Sequence, residues 1–495
     1  PGFIQTRAIL LDSGDWTLQP SANSAGVSRA QFASWREIIE EKESDKYDIT
    51  FKRDLEGEFQ TQLKLGYLNT EAQRSVFDEY VSFLGVDLSD TSNTTVPGVT
   101  DPSDPMFMFF DELAASGYEV AADVDLNSES TGQYFMLDQT LFEKFRIVGG
   151  YRFERNSSDV RVNGDTKLKG AGASNPLAGR PSSGGYEVED WYPGLSLIYS
   201  LNDQINLRFA YSQTIALPSA REVSPYATAS FSGSDVDVGN PSLQPSEVES
   251  LDIGFSYMND AGDSFSVTVF QKTVQDRIEK VNGIGADTFK STVSNPDPFD
   301  YNDYNVMTRS ESVNADLYSW YNNPNEATLR GVELEGRKSM GFIWSGLDYL
   351  SVGGNFTYID GTVERFPIEI ASKNAVGRPV SDERALTEQP ESLLNFDLTY
   401  DNPESGVRVS LIYYMVSDTL KATSLVTNYD IYEASYDAVD LTISKRFADR
   451  YKISFSAKNI TDSVRQKYYD VEGYEKEYES YRAGISYSIS GTVEF

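Results

Sequence analysis

The last fifteen residues of the chain, Tyr481–Phe495, read YRAGISYSISGTVEF. Every second residue from Tyr481 onward is apolar or glycine, and the residues between them are polar, charged or glycine. Successive side chains of a β-strand point to opposite faces, so this period of two predicts a strand with one apolar face. A chain that ends on such a strand raises the question of what pairs with it, because free termini usually fray.

The same alternation recurs along the chain, for example over 205–211, 251–257, 439–443 and 451–457. Short turns rich in Asn, Asp, Pro and Gly alternate with long polar connections, at roughly 70–130, 156–186, 215–246, 280–326, 362–390, 417–435 and 463–480. We count about sixteen strands of about ten residues each, the length of a membrane β-strand. The sequence therefore predicts an all-β fold, a transmembrane antiparallel up-and-down β-barrel over residues 1–495.

A large soluble β-protein, such as a β-helix or tandem sandwiches, is the alternative, since any half-buried antiparallel sheet alternates. Short turns that alternate with long connections predict a barrel whose two ends differ, and this pattern, with the aromatic residue at the C-terminus, favours the barrel. In a barrel the last strand closes the sheet against an earlier strand, and Phe495 lies in an aromatic girdle. Ile485 and Ile489 would then face lipid, and Ser486 would face the lumen.

Composition excludes several classes of function. The chain has 42 Lys and Arg against 76 Asp and Glu, a net charge of −34, which argues against binding to nucleic acid. It has no cysteine and no histidine, so disulfides, thiolate chemistry and the usual general base and metal ligand are absent. We therefore predict that the protein is not an enzyme. The acidic excess either attracts cationic ligands or reflects a saline habitat.

Four stretches resemble one family. They are, in chain order, YPGLSLIYSLNDQINLRFAYSQTIALPSAREVSPY (Tyr192–Tyr226), VGNPSLQPSEVESLDIGFSY (Val238–Tyr257), ATLRGVELEG (Ala327–Gly336) and FSAKNITD (Phe455–Asp462). In combination with the ending on Phe495, they resemble the C-terminal barrel portion of TonB-dependent outer-membrane receptors.

The resemblance implies a barrel of about 22 strands around an N-terminal plug domain. About sixteen strands and no plug are visible here, so we expect a barrel domain that is incomplete at its N-terminus. The implied function is capture of a scarce nutrient (a metal-siderophore, haem, cobalamin or a carbohydrate) and TonB-dependent transfer to the periplasm. The implied setting is the bacterial outer membrane, with its lipid and lipopolysaccharide, and the TonB complex as a partner through the plug. A passive diffusion porin, or a surface-assembly barrel with partners such as a surface lipoprotein, are alternatives.

Two long connections carry candidate ligand contacts. Trp320 and Tyr321, in LYSWYNNPN (Leu317–Asn325), are our predicted ligand contacts, because exposed aromatics stack on sugar rings and apolar ligands. They are equally consistent with an aromatic girdle. Carboxylates in NPDPFDYNDYN, at Asp297, Asp300 and Asp303, could hold Ca²⁺, but their spacing is not that of an EF-hand. A solvated acidic loop is the favoured interpretation, so neither a metal nor a cofactor is predicted.

Overall fold

The computed structural model describes residues 6–10, 16–20, 32–55, 59–82, 118–162, 183–224, 227–229, 235–282, 316–375, 377, 379–424, 429–448, 450–471 and 474–493. The predicted barrel-closing girdle residue Phe495 and the carboxylates Asp297, Asp300 and Asp303 lie outside these residues. No helix in the described part is long and apolar enough to cross a membrane, a finding that has no bearing on crossing by strands.

Strands dominate the described residues. They are β1 (Thr6–Leu10), β2 (Trp16–Pro20), β3 (Phe32–Leu55), β4 (Phe59–Ser82), β5 (Tyr118–Leu141), β6 (Phe145–Val162), β7 (Ser183–Asn202), β8 (Ile205–Ala216), β9 (Ala227–Ala229), β10 (Asp235–Val238), β11 (Ser246–Met258), β12 (Ser264–Gln275), β13 (Arg277–Asn282), β14 (Asp316–Asn323), β15 (Ala327–Ser339), β16 (Leu350–Glu364), β17 (Glu383–Ala385), β18 (Ser392–Asn402), β19 (Val407–Val416), β20 (Thr419–Ser424), β21 (Ile431–Glu433), β22 (Tyr436–Phe447), β23 (Tyr451–Lys458), β24 (Val464–Val471), β25 (Tyr474–Arg482) and β26 (Ser486–Val493). In the described part of the chain, two α-helices, Ala220–Val223 and Pro367–Ala375, and two 3₁₀ turns, Met340–Phe342 and Ser345–Leu347, lie between strands.

A sixteen-stranded antiparallel sheet, which we call the barrel sheet, forms the body of the molecule. Fifteen of its strands follow one another in the order β3, β4, β5, β6, β7, β8, β11, β12, β15, β16, β18, β19, β22, β23 and β26, and β17 pairs with β16. Each strand pairs with the next one in this order, which is the up-and-down topology predicted from the alternation. The predicted all-β fold and strand number are confirmed.

One face of the barrel sheet is apolar and exposed. The register places Ile49 beside Leu65 near one end of the sheet, and Phe455 beside Ile489 at the other. Ile49 is 57% exposed and Ile489 is 78% exposed. A water-soluble monomer rarely exposes so continuous an apolar surface, whereas a membrane barrel turns such a band toward lipid. The opposite face carries mainly polar side chains and is the lumen face.

The connections differ in length at the two ends of the sheet, as predicted. Short turns such as 203–204 and 403–406 lie at one end, the short-turn side, and connections such as 365–391 lie at the other, the long-connection side. Exposed Phe142, Phe342 and Trp344 project from the short-turn side. Aromatic side chains at the rim of a membrane barrel form the girdle that meets the lipid headgroups.

Strand length differs from the prediction. The strands β3, β4 and β5 have 24 residues each and β7 has 20, about twice the expected length. Their polar outer parts, such as 70–82, fall in the predicted long connections because few apolar residues mark them. Backbone pairing continues there regardless, since it needs no particular side chains, so these strands rise beyond the apolar band.

The final strand pairs with β23 as an ordinary ladder member, with Tyr451 opposite Val493. Within the described residues no pairing joins β26 to β3, the other end of the barrel sheet. The closure of the sheet by the last strand therefore stays a prediction, as do the 22-strand total and the role of Phe495.

Candidate functional site

The long connections fold into a second sheet, which we call the loop sheet. Its eight strands follow the order β25, β24, β21, β20, β13, β14, β10 and β9, and all of them belong to connections on the long-connection side. A left-handed residue, Asp276 with φ of 51°, separates β12 from β13 and lets the chain leave the barrel sheet for the loop sheet.

A cluster of apolar side chains joins the loop region to the barrel sheet. Val76, Val124 and Val160, on the extended upper parts of barrel strands, pack against Val223 and Leu243 from the connection after β8. All five are buried. The lumen face therefore changes from polar to apolar where the strands rise above the band, and Val223 and Leu243 of the connection after β8 cover it.

The stretch PSAREVSPY contains a short helix in this covering connection. Ser219 accepts a hydrogen bond from the Glu222 backbone, and the Glu222 carboxylate accepts one from the Ser219 backbone, a capping box at the start of the helix Ala220–Val223. A Cβ on Gly239 would lie 2.0 Å from the Ser224 carbonyl oxygen, so only glycine allows this close approach. The Pro and Gly residues of PSAREVSPY and of GNP (Gly239–Pro241) predict turns that stabilise a long loop, and these contacts fit that interpretation.

A buried network of charges ties three long connections together. Arg384, on β17, lies at its centre and contacts Glu279 of β13 at 2.6 Å and Glu369 of the helix Pro367–Ala375 at 3.3 Å. The side chains of Glu279 and Glu369 are fully buried and that of Arg384 is 2% exposed. Arg277 adds a second guanidinium to Glu279, at 2.5 Å.

The second half of the network surrounds Asp430, which precedes β21. Arg365 approaches its carboxylate at 3.1 Å and Lys373 at 2.6 Å. The Thr423 hydroxyl, with its single proton, lies within hydrogen-bond distance of both Asp430, at 3.2 Å, and Glu369, and so joins the two halves. The network fixes the helix, β13 and β20 relative to one another, because its contacts join side chains of all three elements and breaking a buried ion pair is costly.

The surroundings of the three buried carboxyl groups shift their pKa values in different directions. Burial favours the neutral form of Glu279, but the charge and hydrogen bonds of Arg384 outweigh it and hold the pKa of Glu279 below its usual range. Burial likewise opposes ionisation of Asp430, yet Lys373 and Arg365 lower its pKa. At Glu369 burial prevails over the charge of Arg384, and its pKa is raised.

Trp320 and Tyr321 lie on β14 of the loop sheet, not in the barrel sheet. The indole of Trp320 is partly buried against the apolar cluster, with the cations of Arg221 and Lys280 at 5.5 and 5.4 Å from its ring. The backbone carbonyl of Trp320 accepts a hydrogen bond from the Asn240 amide at 2.9 Å. Tyr321 is 2% exposed. These contacts hold β14 in place, and a role of either residue in ligand binding stays a prediction.

Tyrosines cover both faces of the loop sheet. On one face Tyr432 and Tyr468 stack at 5.7 Å, and the Tyr468 hydroxyl donates to Asp418 at 2.9 Å. On the other, Tyr469 and Tyr478 meet edge to face at 5.1 Å and pack against Tyr318. Burial raises the pKa of Tyr432 to about 12, so the phenol stays neutral. Aromatic surface with neutral hydroxyl groups suits the recognition of bulky organic ligands.

No sequence pattern indicates the buried network. The mixed charges of SDERALTEQP (Ser381–Pro390) predict a solvated loop, and this prediction is wrong, because Arg384, Leu386 and Thr387 are buried. The one available signal was Leu386 among the charges, which is too weak to place Arg384 beside Glu279. Within the described residues no group of three or more Asp and Glu side chains is arranged to hold a metal ion.

Comparison with known proteins shows which family has this architecture. The family model for the TonB dependent receptor-like β-barrel matches residues 5–460. The chain belongs to this family. It is a family of receptors and transporters characteristic of the bacterial outer membrane. No curated protein sequence matches the chain.

Solved structures agree on the fold. The copper transporter OprC matches with a TM-score of 0.59 and 15% identity, over 95% of this chain and 59% of that one. The ferric citrate transporter FecA, in its unliganded form, matches with a TM-score of 0.56 and 12% identity, over 97% and 57%. The siderophore receptor PiuA from Acinetobacter baumannii matches with a TM-score of 0.56 and 12% identity, over 92% of this chain and 56% of that one. The chain thus spans less than three fifths of the length of each of these proteins.

Proposed function

We propose that the protein is an outer-membrane receptor that captures a scarce nutrient on the long-connection side and transfers it to the periplasm in a TonB-dependent way. The match of the family model over residues 5–460 carries this proposal. The long-connection side is the extracellular side in this proposal, because outer-membrane barrels place long loops outside and short turns in the periplasm.

The loop sheet supports a capture role. Receptors for scarce ligands gain affinity when the binding surface is ordered before the ligand arrives, because less conformational entropy is lost on binding. The network around Arg384 and Asp430 provides such order, since it joins three connections through buried ion pairs. Tyrosine surface on the same sheet provides contact area.

The candidate ligands are metal-siderophores, haem, cobalamin and carbohydrate oligomers. Three structurally similar proteins are described as a ferric citrate transporter, a siderophore receptor and a copper transporter, so metals and metal chelates come first in a screen. The proposed partners are outer-membrane lipid and lipopolysaccharide along the apolar band, the TonB complex through a plug, and a surface lipoprotein over the loops.

The test compares growth and uptake in matched bacterial strains. A strain without the gene and a complemented strain are grown with each candidate nutrient as the limiting source, in backgrounds with and without TonB. We expect one nutrient to support growth only when both the gene and TonB are present. Uptake that needs the gene but not TonB would contradict the proposal and favour a passive porin.

A further inference from the structure

One connection on the short-turn side differs from its neighbours in length and character. Residues 340–349, which we call the apolar turn, join β15 to β16. Four other described connections on this side have two to five residues, at 142–144, 203–204, 259–263 and 403–406. The apolar turn contains three consecutive large apolar residues, Phe342, Ile343 and Trp344.

The three apolar side chains of this turn are not hidden inside the protein. Phe342, Ile343 and Trp344 are each 60–68% exposed. Contact between water and adjacent large apolar side chains is unfavourable, and a group of them on a surface marks a place where something apolar binds. The exposed group therefore indicates a partner outside the chain.

Internal contacts hold the apolar turn in shape. The backbone N–H of Ile343 donates to the Met340 carbonyl at 3.0 Å. The backbone N–H of Leu347 donates to the Trp344 carbonyl at 2.8 Å. The indole of Trp344 lies over Gly346, where a Cβ would come within 2.7 Å of the ring. The exposed side chains are thus presented by an ordered turn, which lowers the entropy lost when they bind.

The apolar turn folds toward the outer face of the barrel sheet. Lys338, near the end of β15, shares a face with Leu334 of the apolar band, because residues an even number apart on a strand point the same way. The Lys338 ammonium lies 5.3 Å from the centre of the Phe342 ring and 2.5 Å from the carboxylate of Asp263. Phe342 therefore lies beside the face that meets lipid, not beside the lumen.

Neither the lumen nor the ends of the barrel sheet adjoin this place. The strands β15 and β16 are the ninth and tenth of the fifteen that follow one another in the barrel sheet. A plug would fill the lumen, and further strands would pair at the ends of the sheet. Both would leave the outer face beside the apolar turn uncovered.

We propose that the apolar turn is a membrane anchor whose partner is the phospholipid interface. Phe342, Ile343 and Trp344 enter the boundary between the headgroups and the acyl chains, where an indole with an apolar body and a polar N–H is well suited. The apolar band on the same strands already faces lipid, so the turn continues an existing contact surface. Lys338 keeps its charged end at the headgroups while its stem covers apolar surface.

This anchor goes beyond the proposed capture of a nutrient, because it does not depend on which ligand binds. It also differs from a girdle of aromatic residues at strand ends. The anchoring side chains belong to a connection and include the aliphatic Ile343. The anchor fixes how deep the β15–β16 side of the barrel sheet lies in the membrane.

The experiment measures lipid contact of the turn in phosphatidylcholine vesicles that contain a lipid with a nitroxide quencher near its headgroup. Ile343→Cys is labelled with a small fluorophore in the full chain, which has no other cysteine. The matched control is Ala261→Cys, an exposed position of the neighbouring connection 259–263, between Asp260 and Gly262. We expect quenching at Ile343 to be at least about twofold stronger than at Ala261.

A second variant removes the anchor and keeps the strands. Phe342→Ser combined with Trp344→Ser, in the labelled Ile343→Cys chain, should reduce quenching to the level of the Ala261→Cys control. Heat-modifiable migration on gels confirms that each variant is folded before it is measured.

Three results would overturn the proposal. The first is quenching at Ile343 no stronger than at Ala261. The second is a double variant that is quenched as strongly as its parent, because the strands alone would then bring the label to the lipid. The third is quenching at Ile343 that appears only when the protein is diluted at fixed lipid composition, which would show that a second copy of the chain covers the turn.

Discussion

The barrel sheet and the loop sheet are both antiparallel for most of their length, yet they are stabilised in different ways. In the barrel sheet large side chains such as Ile253 and Ile489 are exposed, and continuous backbone ladders hold the strands together. In the loop sheet side chains such as Leu420 and Ile431 are buried, and ion pairs such as Arg384–Glu279 are buried beside them. Lipid can cover an apolar face from outside, whereas a sheet in water must provide its own interior.

The largest expected effect comes from breaking the buried network. Arg384→Ala leaves the carboxylates of Glu279 and Glu369 buried without their main cation, which should cost about 3–5 kcal/mol of local stability. Hydrogen exchange of β13 and β20 should accelerate strongly, while exchange in β22 and β23 stays slow. Arg337→Ala is the control, because its partner Asp397 lies in a half-exposed pair on the lumen face and the expected cost is about 0–1 kcal/mol. Equal effects of both changes would contradict the distinction between the sheets.

A second change tests the barrel sheet in the same way. Ile489→Arg places a charge on the apolar band and should cost about 2–4 kcal/mol near the bilayer midplane. Its neighbour Ser490 points to the lumen face, opposite Ser454, so Ser490→Arg should be tolerated. Urea unfolding in lipid vesicles measures both. If the two variants lose the same free energy of unfolding, the assigned facing of β26 is wrong.

Acid should loosen the loop sheet before the barrel sheet. The lowered pKa values of Glu279 and Asp430 mean that their contribution is complete above their usual carboxyl pKa and is lost as pH falls through the lower values of the folded state. Glu369 acts with the opposite sign, since its raised pKa favours the folded state at low pH. Hydrogen exchange of β13 and β22 compared across an acid series measures the difference. Simultaneous loosening of both strands would contradict it.

The smallest effect separates two roles of Trp320. Trp320→Ala removes a partly buried ring and its contacts with two cations, which should cost about 1–2 kcal/mol. A structural role predicts faster exchange in β14 and its neighbour β13. A direct ligand contact predicts weaker binding of the transported nutrient with unchanged exchange. Tyr481→Ala is a control of the exposed aromatic type on β25.

The barrel sheet could be predicted because the alternation of apolar and polar residues that marks its strands is a local sequence pattern. In β15, the apolar residues Val332 and Leu334 alternate with Glu333 and Glu335, and the register is fixed by which face meets lipid. The upper parts of β3–β7 could not be predicted, since polar strands lack that signal. Arg384 could not be assigned because its partners Glu279 and Glu369 come from other connections and only the fold brings them together.

The central claim is that lipid covers one face of the barrel sheet while the loop sheet lies in water. Its most direct test is a single-cysteine scan, in which each label has one attachment site because the chain has no native cysteine. A fluorescent label is attached in turn at Tyr487, Ser488, Ile489 and Ser490 of β26 and at Lys280 of β13, in vesicles that contain a lipid-chain quencher. We predict strong quenching at Tyr487 and Ile489, and weak quenching at Ser488, Ser490 and Lys280. Quenching at Lys280 as strong as at Ile489, or no alternation along β26, would contradict the account.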